Sequence, residues 1–276
     1  MSIAYFNGNW IEENDTTTGF GFNDRLRLGD GVFDTMLCII DEQNKAQTIH
    51  ADKHFERLSK AAKLMQIPAL PTTEELTALA HELIDKNALQ AGRYALNTIF
   101  TRGPASRGLM PASETQTTPS LVMKLSPASS SFPEINAITA RHSCRNEYSP
   151  LSQIKSTNYG DNILCLLEAK AKGANEALIS NIKGDIVCAS SGNIFVILDG
   201  KLHTPPLSDG VLDGVTRQIM IEKYPVIISS INMQDLQKAE GIYITNSIKG
   251  CMPISILNAE KLPPPLLTIE QDFHLS

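Results

Sequence analysis

Ser149-Pro150-Leu151-Ser152-Gln153-Ile154-Lys155-Ser156-Thr157-Asn158-Tyr159 sets one lysine between a proline-bearing loop and an apolar helical run, Asn162 to Ala171. A lysine at such a junction can face a pocket, and its amine can attack a carbonyl once burial or a neighbouring cation lowers its pKa. Most lysines are solvated surface groups, so Lys155 gains weight only from what accompanies it. Downstream, Leu212-Asp213-Gly214-Val215-Thr216-Arg217-Gln218-Ile219-Met220 places a glycine and a threonine before a helical pattern. Backbone amides and a hydroxyl can there meet an anion at a helix N-terminus. Thr245-Asn246-Ser247 ends the strand-like Gly241-Ile242-Tyr243-Ile244 and can offer hydroxyls and amides from another side. In His54-Phe55-Glu56-Arg57-Leu58, Arg57 stands among apolar helical neighbours, where a guanidinium pairs with a carboxylate or grips a phosphate at two points. Singly, such turns read better as ordinary satisfied turns. Together they suggest a lysine serving a phosphate-bearing aldehyde.

Around these motifs strands and helices mix. Val32 to Ile40 is β-prone and follows the turn Gly29-Asp30-Gly31, whereas Phe55, Leu58, Ala61, Ala62 and Met65 recur at helical spacing. A second helix is predicted over Thr73 to Ala88, with Thr72 or Thr73 near its cap and Glu74 and Glu75 in its first turn. Arg93 to Thr101, Leu121 to Leu125 and Ile135 to Ala140 read as strands. Residues 103–119 carry the Gly, Pro, Ser and Thr of loops. The expectation is an α/β (α+β) chain with mixed sheets and packed helices, in two domains. An N-terminal α/β domain spans 1–115, an interdomain linker region 116–130, and a C-terminal α/β domain 131–276 carries the lysine.

Composition narrows the function classes. A chain of 276 residues exceeds the usual single domain. A net charge of −6 leaves no electrostatic footprint for nucleic acid or an anionic membrane, so an anionic ligand must be met by local arginines and amides. Five cysteines without a CxxC pair suit reduced thiols and a cytoplasmic setting. Neither a signal peptide nor a run of ~20 apolar residues is apparent. Gly19-Phe20-Gly21-Phe22 lacks the third glycine of a dinucleotide fingerprint, no Walker pattern occurs, and six histidines show no HExxH spacing. No metal site is expected.

Further segments fall in a shared order with those above: Gly29-Asp30-Gly31-Val32-Phe33-Asp34-Thr35, Thr101-Arg102-Gly103, Gly173-Ala174-Asn175-Glu176-Ala177-Leu178, Ser190-Ser191-Gly192-Asn193-Ile194-Phe195 and Thr204-Pro205-Pro206-Leu207. In these the chain resembles the class IV aminotransferase family, the fold type IV pyridoxal-phosphate enzymes. That family includes branched-chain and D-amino-acid aminotransferases and 4-amino-4-deoxychorismate lyase. The resemblance implies pyridoxal 5'-phosphate as cofactor and a homodimer with the active site between two domains near the partner chain. It makes Lys155 the Schiff-base lysine and proton shuttle. It also assigns Arg57, the Val215 amide, Thr216 and Ser247 to the phosphate, Tyr159 to the vicinity of the phenolic oxygen, and Leu212 to one ring face.

One position departs from the family pattern. Five residues before Asn193, most members place a glutamate that keeps the pyridine nitrogen protonated; here the residue is Cys188. A neutral thiol is a weak donor and a weak acceptor and cannot stabilise a pyridinium as a carboxylate does. Three explanations stay open: a less protonated ring is tolerated, Asp185 or Asp161 substitutes, or catalysis is lost while the cofactor site is kept. The first is favoured.

Within the family, D-amino-acid enzymes pair an arginine with a histidine two residues later, whereas this chain has Arg107-Gly108-Leu109. The loop from Thr101 to Gly108, with two arginines, resembles the lyase pattern instead. The resemblance thus implies conversion of 4-amino-4-deoxychorismate to 4-aminobenzoate and pyruvate, a folate-precursor reaction, with Arg107 and Thr35 at the substrate. Arg27 and Lys249 are further candidate counter-ions, although surface solvation suits both better. An aminotransferase of branched-chain or D-amino acids is the alternative.

Overall fold

The computed structural model describes residues 2–13, 15, 17–110, 118–272 and 275. The chain forms two compact units. One comprises Met1–Ser130 with Lys155–Asn158, and the other Ser131–Ile154 with Tyr159–Ser276.

The first unit opens with a hairpin, β1 (Ile3–Phe6) and β2 (Asn9–Glu12), turned by Asn7 and Gly8 at positive φ. An Asn-Gly pair suits the tight turn whose twist matches that of the strands. β3 (Gly31–Ile40), β4 (Ala46–Thr48), β5 (Gly92–Thr101) and β6 (Ser120–Pro127) complete a six-stranded sheet in the order β2-β1-β6-β5-β3-β4. β3 and β5 pair along their whole length, from Gly31 opposite Thr101 to Ile40 opposite Gly92. The expected linker region therefore holds a full strand, β6, paired with β5 from Ser120 to Pro127. Residues 116 and 117, and the expected domain end at 115, lie outside the described residues.

Helix α1 (Ala51–Leu64) packs on β3 through Phe55, Leu58, Ala61 and Ala62. Helix α2 (Thr73–Asn87) lies on β1 and β6 through Leu76, Ala80, Leu83 and Ile84. α2 starts where its sequence signals a start: Thr72 accepts from the Glu75 amide and Glu75 returns the bond to the Thr72 amide.

β4 pairs only the far part of β3, Cys38 to Ile40, which leaves the edge at residues 31–33 open. Residues 155–157 fill it. Phe33 N–H donates to the Lys155 carbonyl, Thr157 N–H donates to Gly31, and Ser156 bridges Val32. These main-chain bonds draw the lysine segment into the first unit, whereas the sequence expectation assigned it to the second domain.

The second unit is built on β7 (Ile135–Thr139), β8 (Glu176–Ser180), β9 (Ile186–Ala189), β10 (Asn193–Leu198), β11 (Lys201–Thr204), β12 (Val226–Ile228), β13 (Gly241–Asn246), β14 (Gly250–Leu257) and β15 (Glu260–Lys261). The sheet order β12-β11-β10-β13-β14-β7-β8-β9 returns on itself, because β9 also pairs β10. Six strands thus close a ring, which removes exposed edges. Its interior is apolar, with Ala137, Leu178, Ile194, Val196, Ile242 and Ile254 in one buried cluster. Helices α3 (Gly160–Ala171), α4 (Val215–Lys223) and α5 (Met233–Lys238) pack on β8, β13 and β10 respectively.

Candidate active site

In the first unit the chemistry gathers at the start of β3. Alternation along the strand sends Val32, Asp34 and Met36 into the buried interface with α1 and gives Phe33 and Thr35 the other face. Lys155, opposite Phe33, shares that second face, and its ammonium lies 4.1 Å from the Phe33 ring centroid. On the buried face Asp34 is 1% exposed. Its carboxylate accepts from Arg57 Nε and Nη2 at 2.9 Å each and bonds His54 Nδ1 at 2.6 Å. Burial pushes the Asp34 carboxyl up, but Arg57, His54 and the more distant Lys155 outweigh it and hold the acid well below the usual carboxylate range. Burial pushes His54 down despite its carboxylate partner, which favours the neutral imidazole at neutral pH.

In the second unit the expected anion-binding residues Val215 and Thr216 open helix α4, and Ser247 follows β13. Helix α4 begins at Val215 after Gly214, which makes no side-chain cap, so the amides of its first turn are left for another acceptor. Asn193 Nδ2 donates to the Leu212 carbonyl at 2.8 Å and fixes the turn ahead of the helix. A Cβ on Gly214 would come within 2.1 Å of Asn193 Oδ1, so only glycine permits this approach. The Thr216 and Ser247 hydroxyls lie 3.5 Å apart. Two amides at a positive dipole end beside two hydroxyls are a donor set that fits a phosphate. Tyr159 and Leu212 are half-buried in the same unit.

Cys188 is buried in β9, opposite Ile179 on β8 and Asn193 on β10. Burial pushes its thiol up to about 11, against the pull of Arg145 and with the added repulsion of Glu176. Near neutral pH the group is therefore an uncharged S–H. Asp161 is exposed and accepts from the Ser143 hydroxyl, and Asp185 is half-buried in the turn where its amide bonds Asn181. The carboxylate whose charge reaches Cys188 is instead Glu176, which accepts from the Ser190 amide at 3.1 Å and from the hydroxyls of Ser190 and Ser191. Those bonds pin the turn after Cys188. Sequence reasoning passed over Glu176, although it lay within a quoted motif, because one acid in a strand carries no local signal.

Of the remaining candidates, Thr35 is half-buried and accepts from Asn97 Nδ2, Arg107 and Arg27 are exposed, and the Lys249 ammonium lies 5.9 Å from the Phe132 ring. Asp34 and His54 were quoted in motifs but given no role; a buried acid on an otherwise apolar strand face was the available signal. Among the described residues no group of three or more His, Cys, Asp or Glu could hold a metal ion. No helix among them is long and apolar enough to cross a membrane.

Comparison with known proteins gives a consistent family. A provisionally assigned branched-chain-amino-acid aminotransferase of Methanocaldococcus jannaschii is 28% identical over 91% of this chain and 86% of its own length. The aminodeoxychorismate lyase of Bacillus subtilis is 24% identical over 92% of this chain and 86% of its own. Among solved structures, a provisionally assigned 4-amino-4-deoxychorismate lyase of Legionella pneumophila superposes with a TM-score of 0.79 at 28% identity, covering 91% of this chain and 92% of that one. The family model for class IV amino-transferases matches residues 31–257, and the chain belongs to that family.

Proposed function

We propose that this chain is a pyridoxal-phosphate enzyme that converts 4-amino-4-deoxychorismate to 4-aminobenzoate and pyruvate. Family membership supports the cofactor, and the donor set of the α4 N-terminus suits its phosphate. When bound, pyridoxal phosphate supplies a carbonyl that couples to amines and a ring that withdraws electrons from the carbon bearing the amine. Val215 and Thr216 amides and the Thr216 and Ser247 hydroxyls hold its phosphate, with Arg57 as the countercharge. By the family resemblance Tyr159 would lie near its phenolic oxygen and Leu212 would pack on one ring face, and Lys155 would be the amine that receives the carbonyl.

Released from that role, Lys155 takes the proton from the amine-bearing carbon of the substrate. It then delivers a proton to the enolpyruvyl methylene as the carbon–oxygen bond breaks. The substrate ring becomes aromatic, pyruvate leaves, and no oxidant is consumed. Arg107 serves as counter-ion for a substrate carboxylate, and Thr35 is a second substrate contact.

The observation that carries the lyase reading over the transaminase reading is the uncharged, buried Cys188 thiol. An elimination that discharges its carbanion into an aromatic ring needs less electron withdrawal than a half-transamination, which must hold the charge and reprotonate elsewhere. The similarity to a branched-chain aminotransferase at 28% identity is what favours the alternative. Assay of 4-aminobenzoate and pyruvate release, beside a panel of L- and D-amino acids with an oxo-acid acceptor, tests the choice. Equimolar release of both products is expected; turnover confined to the amino-acid panel would overturn it.

We further propose a homodimer. Ile163, Leu164, Leu166 and Leu167 form an exposed stripe on α3 opposite its buried face, which is a large apolar area for a chain on its own.

A further inference from the structure

Arg25 is an unusual side chain: it is 4% exposed, yet it belongs to a short surface turn, Arg25–Leu28. Its main-chain N–H donates to the Gly103 carbonyl at 3.0 Å. Its guanidinium reaches the other end of the same loop, with Nη1 donating to Gly108 at 3.1 Å and Nη2 donating to Leu109 at 2.7 Å. One residue therefore ties both ends of the segment from Gly103 to Leu109. Arg107, whose side chain is exposed, projects from the segment so closed.

The tie is itself held. Arg25 Nε donates to Asp30 Oδ2 at 2.5 Å, and Arg102 donates to both Asp30 oxygens, at 2.8 and 3.1 Å. Arg102 also donates to the Met65 and Gln66 carbonyls that follow α1. Asp24, next to Arg25, accepts from the hydroxyls of Thr101 and Ser120, so two buried acids stand against two buried arginines. The neighbours of Asp30 in the chain are the two glycines that receive the lysine segment: Gly29 accepts from Asn158 Nδ2, and Gly31 accepts from the Thr157 amide. The turn at Asp30 thus ties together the Arg107 loop, the end of α1 and the segment carrying Lys155, all within the first unit.

We infer that Arg25 is a positioning residue that sets the place of Arg107 for a carboxylate-bearing substrate, with Asp30 orienting Arg25. A planar guanidinium can hold two carbonyls and a carboxylate at once, whereas an ammonium at the same site cannot span them. The inference rests on Arg107 acting as a substrate counter-ion.

The test compares the native protein with Arg25→Lys and Arg107→Ala, both loaded with pyridoxal phosphate. Amide hydrogen exchange is read over residues 103–110, and kcat and KM are read separately. In Arg25→Lys, exchange in that segment should rise about tenfold or more, as expected for losing a charge-assisted hydrogen bond. KM should rise severalfold while kcat and the cofactor spectrum hold. The double variant should add little to the KM of Arg107→Ala alone. A folded Arg25→Lys with unchanged exchange in the segment, or one whose kcat falls at constant KM, overturns the inference. Unchanged KM in Arg107→Ala would instead remove the substrate role of Arg107 while leaving the exchange result standing. If Arg25→Lys fails to fold, Asp30→Asn, which keeps both arginines and removes the carboxylate that orients them, is read for the same two quantities.

Discussion

Asp34 receives Nε and Nη2 of Arg57 in a two-point ion pair, each contact 2.9 Å long, from a strand face closed over by α1. The candidate phosphate arginine is therefore oriented before any ligand arrives. Nη1 is the guanidinium nitrogen left outside this pair.

Replacing the buried Asp34 by Asn leaves the half-buried Arg57 guanidinium without its carboxylate. The expected loss is about 3–5 kcal/mol of unfolding free energy, measured by urea unfolding. Because the folded-state pKa of Asp34 is depressed, its contribution is full above the ordinary aspartate range near pH 4 and is lost only as pH falls through the lower folded value. The native protein should therefore lose stability between pH 4 and more acidic conditions, and Asp34→Asn should show a shallower loss there. Equal slopes for the two proteins would contradict the role given to this pair.

Thr216→Val and Ser247→Ala each remove one hydroxyl from the cradle before α4. Each should weaken pyridoxal-phosphate binding by about tenfold, the scale of one hydrogen bond to a charged group, as followed by the absorbance of the bound cofactor. Unfolding midpoints without cofactor should change little, because Ser247 is half-buried and the Thr216–Ser247 contact is long at 3.5 Å. Unchanged affinity in both variants would move the phosphate elsewhere.

Cys188→Glu supplies an acid where the thiol is uncharged. Transamination should rise relative to 4-aminobenzoate formation, measured as the ratio of the two rates on one preparation. A manyfold gain in 4-aminobenzoate formation would defeat the argument that this elimination tolerates a weakly protonated ring.

The thiols give a prediction at alkaline pH. Burial raises Cys38 and Cys188 to about 11 and Cys251 to about 12, from an ordinary value of 9.0. The folded chain keeps these protons where the unfolded chain loses them, so their contribution to stability is full below about pH 9 and falls as pH rises from there toward 11. Cys251→Ala should flatten that fall in urea midpoints measured from pH 8 to 10.5. In the native protein at neutral pH, Cys144 should react rapidly with a thiol reagent and the other four cysteines slowly, since it alone among the five is exposed.

Substituting Glu for Ile163 and Leu167 on the exposed stripe of α3 should lower the molar mass in solution from that of two chains to one, read by light scattering. An unchanged mass with a folded spectrum would place the second copy on another surface.

The regular elements were legible because their signals are local. The β-prone run from Val32 to Ile40, the threonine cap with Glu74 and Glu75 in the first turn of α2, and the helical spacing of Phe55, Leu58 and Ala62 each fit inside a few residues. The Asn7-Gly8 turn was equally local, and the hairpin around it could have been read the same way. The pairing of β14 with β7 within the closed ring and the passage of residues 155–157 along the β3 edge join segments far apart in sequence, and no local pattern announces them. The same limit applies to charges. Arg57 and Cys188 stood out as residue types at family positions, but that Asp34 holds Arg57, Glu176 holds Ser190 and Asp30 joins Arg25 to Arg102 follows only from packing.

The most direct test of the central claim is borohydride reduction of the protein loaded with pyridoxal phosphate, followed by peptide mapping. The pyridoxyl group should be found on Lys155, and a folded Lys155→Arg variant should bind the cofactor but retain no label. Label on another lysine, or a protein that binds the cofactor yet yields no reduced adduct, would contradict the assignment of Lys155.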